Sequence, residues 1–448
     1  MKPTWPIALV LFACRAGAAQ GDPALVLAGG TVIDVSAFGS ARADLVDAVV
    51  VVRGDRIAEV GRRAEVSIPE GARVVDVAGR YVVPGLIDGF GGMNSQAQAN
   101  AYLYMGVTSI VGVGGSRRGE LFAEAEPSPH VYPLALAGSR WDAERERSVA
   151  LPLAETLDEI AAASRSGAKV LLVYYTIATE HVERVVAAAR ERGLATIGEL
   201  GAASYAEGIR AGIQAFVHTS RYSLDLAPEA TRVAVAAHPF GPPKLEFYRY
   251  LIGLDADGPR VGEYARLLGR SPVGLIPTLS LEYLDLAGHA NLWKEPAAAI
   301  LDPAGIHLPA DPESGDRPFQ PEEGADAFPS GLSEALLALE ARYARAGARH
   351  LAGSGTSAFG TMPGISLHTE LELLVRIGLT PREALAAATA NFEATFGWEG
   401  VGQVRPGYRA DLVVVEGDPR ADVANLKRIE HVVLGGEPLD REGLLRLP

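Results

Sequence analysis

A chain of 448 residues, 48% hydrophobic and 21% charged, can bury a large core. Its length fits two or three domains, or one barrel with an accessory domain. A net charge of −14 argues against nucleic acid and anionic membrane surfaces as partners, and otherwise serves solubility.

The chain opens with a basic start, Met1-Lys2-Pro3-Thr4, then an apolar run from Trp5 to Cys14, then small residues up to Ala19. This order predicts a secretory signal cut after Ala18 or Ala19, and a periplasmic or secreted product. The run is shorter than the ~20 residues a membrane span needs, so no integral span is expected. Leu11-Phe12-Ala13-Cys14 leaves a lipoprotein at Cys14 as the alternative. Cleavage at Ala19 removes the only cysteine, which excludes disulfides, thiolate catalysis and Cys-ligated metals in the mature chain.

From Ala24 to about Val83 the texture is all-β. Leu25–Ala28 reads as a strand, Gly29-Gly30 as a turn, and Thr31–Asp34 as the next strand. Val46–Val52, Arg56–Val60, Val74–Val77 and Tyr81–Val83 follow. The C-terminus returns to this pattern at Ala410–Val415 and His431–Leu434, which predicts one sandwich shared by both ends.

The middle alternates strands and helices, as a parallel sheet or barrel does. Strands are expected at Thr108–Val113, Lys169–Tyr175, Ala195–Ile197, Ala215–His218, Val273–Leu279 and Arg349–Gly353. Thr179 is expected to cap a helix running to Arg192, and Ser204–Ala211 to form a short one. Thr380-Pro381-Arg382-Glu383 is a capping box. The proline-rich stretch 302–329 is expected to be a surface insertion, either a structureless loop or a lid over the barrel mouth. Gly112–Arg118 looks like a phosphate loop but lacks the Lys-Ser/Thr ending, so a barrel loop is the simpler reading. Tyr174 and Tyr175 end one strand, so one of them must face the mouth.

Several phrases together resemble the amidohydrolase superfamily, in its imidazolonepropionase-like and exported-dipeptidase branch. They are Gly79–Asp88 (GRYVVPGLID), Gly106–Ser109, Ala211–His218, His368–Val375, Leu379–Leu385 and Gly402–Val415. The resemblance implies a (β/α)8 TIM barrel over about 84–400, with the 302–329 insertion. It also implies a β-sandwich from 20–83 and 401–448, after a signal at 1–19. The family gathers metal ligands from the C-terminal ends of barrel strands. The metal activates a water, and an aspartate moves its proton.

Mapped here, the first histidine pair falls on Phe90 and Gly92, and the fourth-strand ligand on Leu172, with Lys169 out of register. The fifth-strand histidine falls on Gly198 or Glu199. The sixth is retained as His218, and the eighth-strand aspartate position is Ser357. The expectation is a degenerate member with no metal cofactor, a mouth more apolar than in an active relative, and a pocket of Phe90, Leu172, Tyr174, Glu199, His218 and Ser357 for a small molecule. Self-association is left open. The alternative is an active hydrolase of C–N bonds with an unorthodox site, using zinc through His218 and Glu199 or a Ser357–His218–Glu199 triad. His368 is expected to pack or cap rather than react.

Overall fold

The computed structural model describes residues 23–115, 118–142, 147–238, 242–317 and 329–446. The expected signal and Cys14 lie outside these residues. No helix among the described residues is long and apolar enough to cross a membrane.

Both ends of the chain enter one sheet. Its order is Glu437–Pro438, Ile429–Leu434, Leu412–Val415, Tyr81–Pro84, Leu25–Val32, Leu45–Arg53 and Arg56–Arg62, with Arg73–Asp76 also paired to Leu25–Val32. The join is antiparallel, with Leu412 opposite Pro84 and Val415 opposite Tyr81. Alternate side chains split between faces, as the two-residue period of a strand requires. Leu25, Leu27, Val50, Val52, Leu412 and Val414 fill one core, whereas Val83, Val413, Val415 and Val432 pack on the barrel. Covering on both faces explains why Val49–Val52 is an unbroken apolar run.

Gly29-Gly30 is not a turn. The strand runs through it to Val32 with a bulge, and Gly29 adopts φ +94°. A Cβ there would lie 3.3 Å from Ala78, so the glycines admit a bend where Arg73–Asp76 gives way to Tyr81–Pro84 as the parallel neighbour.

The middle forms eight parallel strands in chain order. Barrel strands 1 to 8 are Leu86–Gly91, Val107–Gly112, His130–Ala137, Val170–Val173, Ala195–Gly198, Ala215–Val217, Gly274–Ile276 and Arg349–His350. Hydrogen bonds from Gly89 N to Ala352 O (2.9 Å) and from Gly355 N to Phe90 O (2.8 Å) close the ring. Ile87, Val111, Leu172, Ile197, Val217 and Ile276 fill the interior. Outward residues such as Leu171, Val173 and Phe216 pack against surrounding helices, so the barrel is a filled core.

Thr380 and Ser204 both close the reciprocal bonds of a capping box. Thr179 does not cap its helix. Ala178 holds the cap position, and the Thr179 hydroxyl bonds Ala202 O instead. The described part of the proline-rich insertion is packed rather than structureless. Gly305 O accepts from Gln98 Nε2 (3.2 Å), and His307 N donates to Ser357 O (3.1 Å). Arg317 Nη2 donates to Leu281 O (2.8 Å). Residues 318–328 lie outside the described set.

An ion network ties the terminal sheet to the helix Pro381–Ala387. Asp44 takes two hydrogen bonds from Arg382 (2.6 and 2.7 Å) and one from Arg420 (2.6 Å). Burial pushes its carboxyl up, but bonds from Arg382, the Asp34 amide and Arg420 outweigh this and hold it well below the usual carboxylate range. Stability from a depressed carboxylate exists above the unfolded-state value of about 3.9 and is lost as pH falls. D44N is therefore expected to cost about 2 kcal/mol at pH 7. Its deficit against the parent should shrink below about pH 4 in urea denaturation.

Candidate functional site: a cationic barrel mouth

The side chains at the C-terminal ends of the barrel strands form one buried group. Phe90, on strand 1, meets the His218 ring edge to face at 5.2 Å. The Arg118 guanidinium sits over the Phe90 ring, 5.4 Å from its centroid. Arg118 Nε and Nη2 donate to Thr356 O (2.9 Å) and Gly355 O (3.0 Å) at the end of strand 8. The same side chain covers Gly92, where a Cβ would lie 3.0 Å from Arg118 Cβ and 2.9 Å from Thr356 O. An arginine thus fills the space that a histidine at 92 would need.

Leu172 is buried inside the barrel in register with Leu136 and Ile197. Alternation settles strand 5. Ile197 points inward and Gly198 faces Phe216 on the helix side, so Glu199 comes to the mouth. Burial pushes the Glu199 carboxyl up, while a bond from Tyr222 and the charges of Lys244, Arg118 and Arg221 oppose the rise.

His218 has φ +54° and Nδ1 2.6 Å from Thr278 Oγ1, itself at φ +54°. Such backbone in non-glycine residues clusters at functional sites. Burial first, then Arg221, Arg118 and Lys244, depress the His218 pKa well below its ordinary value, so the ring is neutral.

Ser357 is fully buried and its Oγ has no hydrogen-bond partner, so the Ser357–His218–Glu199 triad is not assembled. Tyr174 packs on the barrel interior and supplies the mouth-facing tyrosine, while Tyr175 is fully buried beside it, ring centroids 3.9 Å apart. His368 is a packing residue: Nε2 meets Met105 O at 2.8 Å, and burial lowers its pKa to about 4.

The mouth has an apolar floor and a charged surround. Phe90 and Leu172 do fill its floor, yet Arg118, Arg221, Lys244 and Tyr222 surround Glu199 and His218. Lys244 Nζ lies 3.9 Å from the Tyr222 ring centroid, and Arg221 pairs with buried Glu282. Sequence reasoning missed Arg221 and Tyr222, although their place three and four residues after His218 was the signal that could have found them. Lys244 arrives on the helix Pro242–Ile252, and no spacing in the sequence points to it.

Beneath the mouth, Asp88 Oδ1 accepts from Phe90 N (3.1 Å) and Ser354 N (2.8 Å), and Ser354 Oγ donates to Oδ2. Nearby Glu370 accepts from Ser280 N (2.7 Å), and burial pushes its carboxyl up to about 8.

Among the described residues, no three or more His, Cys, Asp or Glu side chains gather as a metal site would require. Phe90, Gly92, Leu172 and Ser357 offer no strong metal ligand, and His218 and Glu199 are two where zinc needs three or four. The residues present do not fit the metal.

Residues 307–439 match the family model described as the amidohydrolase family, and solved structures of that architecture superimpose on nearly the whole chain. Residues 307–439 are thus similar to the amidohydrolase family, and the chain as a whole shares the fold of the solved structures. Ochratoxinase of Aspergillus niger is 38% identical over 90 residues, 19% of each chain. That stretch spans about a fifth of the curated relative it matches. The crystal structure of A. niger ochratoxinase superimposes with a TM-score of 0.61 at 19% identity, over 93% of this chain and 95% of that one. A Xaa-Pro dipeptidase with methionine bound in its active site gives a TM-score of 0.62 at 16% identity, over 93% and 99%. At these identities the superpositions establish the amidohydrolase fold.

Two outcomes follow from this geometry. Gly92→His should lower stability by about 1–3 kcal/mol, the usual range for overpacking, as read by urea denaturation. For Glu370, a raised pKa means its contribution is full below the unfolded value near 4.3 and is lost as pH rises toward 8. Glu370→Gln should therefore flatten the fall in stability across that interval, measured as the urea midpoint against pH.

Proposed function

We propose that this chain is an exported amidohydrolase-fold protein that has lost the family's metal-dependent hydrolysis and keeps its barrel mouth as a binding site for a small molecule. The observation that carries the reading is Arg118. Its side chain covers Gly92, caps Phe90 and fastens to the carbonyls of Gly355 and Thr356. A fixed cation thus bridges the ends of strands 1 and 8, where the family's metal ligands and aspartate would stand.

The chemistry of the remaining groups agrees. Serine in place of aspartate cannot move a proton near neutrality, and losing a positioned base typically slows a reaction by ~10²–10⁴. Export is supported by the basic, apolar and small-residue blocks that precede Gln20. The retained strain at His218 and Thr278 favours a mouth that still holds a ligand over one kept only for folding.

The test is elemental analysis of purified protein together with hydrolysis assays on dipeptides and N-acyl amino acids. The expected result is no stoichiometric zinc, no change in Tm with chelator, and no turnover. A tightly held metal with an amidase or dipeptidase activity that disappears in His218→Ala would overturn the proposal and support an active hydrolase.

A further inference from the structure

Two helices of the outer layer, Pro259–Arg270 and Leu332–Arg345, pack side by side. Val261, Ala265 and Leu268 of the first share a core with Leu336, Leu339 and Tyr343 of the second. Two glycines of the first helix stand against the second. Gly269 has no room for a Cβ beside Ala346 O, so it serves close approach of the backbones. Gly262 differs, because charge stands over it. A Cβ there would lie 3.0 Å from Arg342 Nη2 and 3.6 Å from Arg266 Nη1. Guanidinium groups from two helices thus converge on one point.

Like charges this close repel, and a nearby opposite charge would normally offset the cost. Other arginines of these helices have partners. Arg345 pairs with Asp257 at 2.8 Å, and Arg260 donates to Ala227 O at 2.8 Å. Among the described residues, the side chains of Arg266 and Arg342 have no hydrogen bond or ion pair, and Arg342 Nε is buried without an acceptor. Glu263, one turn before Arg266, forms no ion pair with it.

Arg266 also lines an open groove of about 490 Å³ with Ile209, Leu267, Arg270, Ser271 and Pro272. Leu267 is 38% exposed, so the groove joins an apolar floor to a cationic edge.

We propose that Arg266 and Arg342 form a phosphate-binding site on the outer helical layer, with Gly262 leaving the room in which the two guanidinium groups meet. An oxyanion between them takes charge-assisted hydrogen bonds from both and cancels their repulsion. The phosphate is either free or part of a monoester whose body lies in the groove. The site does not depend on the chemistry of the barrel mouth.

Calorimetric titration of the full chain in phosphate-free buffer, with sodium phosphate and with sodium chloride at matched ionic strength, tests it. Phosphate should bind saturably at millimolar concentration, and chloride should not. Arg266→Gln and Arg342→Gln should each weaken phosphate about tenfold, the loss of a hydrogen bond to a charged group. Gly262→Ala should weaken it as well, because the added methyl displaces Arg342. Its Tm should not fall, since alanine favours a helix over glycine. Phenyl phosphate binding more tightly than phosphate supports the site and assigns the groove to an ester's body. Equal affinities support the site with free phosphate as its ligand. Heats for phosphate no different from those for chloride, or saturable binding that both glutamine variants retain, overturn the proposal. The comparison of salts uses the unaltered protein and does not depend on any variant folding.

Discussion

The closure of the barrel depends on how barrel strand 8 is held to strand 1. Strand 8 has a regular ladder only at Arg349–His350, and the chain then runs on to Ser357 without strand geometry. What fixes this stretch is polar. Asp88 holds the Ser354 amide and hydroxyl, and Arg118 holds the next two carbonyls. Backbone groups buried at a ring seam need partners, because an unmet one costs about as much as a lost hydrogen bond. A carboxylate on one side and a guanidinium on the other meet that need. The packed insertion adds a third tie through His307 N and Ser357 O.

Arg118 therefore has two roles at once. It satisfies the seam, and it sets the charge of the mouth above it. Phe90, Gly92 and Leu172 are consistent with that arrangement: one ring under the guanidinium, one glycine that leaves it room, and one leucine that fills the floor. Each of these positions makes sense with a fixed side-chain cation nearby, and none supplies a strong ligand for an exchangeable metal.

Much of this was legible in the sequence, for identifiable reasons. The apolar strand cores, the capping box at Thr380 and the paired β-rich ends are local patterns, and local patterns survive folding. The phrase around Asp88 and the retained His218 placed the barrel ends. The glycine pair at 29–30 misled because a glycine doublet favours a turn and a bulge equally, and only the partner strand decides between them. The charge of the mouth was hidden for a different reason. Arg118 comes from a loop after strand 2 and Lys244 from a helix after strand 6, and nothing in chain spacing brings them to Glu199. Ligands carried on one strand can be read from alternation. Ligands contributed by separate loops are set by the closure of the ring.

The terminal sheet has a consequence for how the chain reaches this state. Its central pairing joins Tyr81–Pro84 to Leu412–Val415, and that face rests on the barrel core. The contact is very distant along the chain, and loop closure must precede any gain from it. Val82 and Val83 have no antiparallel neighbour on that side until Val413 and Val414 reach them. The last strands therefore act as a clasp whose arrival completes the sheet and finishes one wall of the barrel's packing.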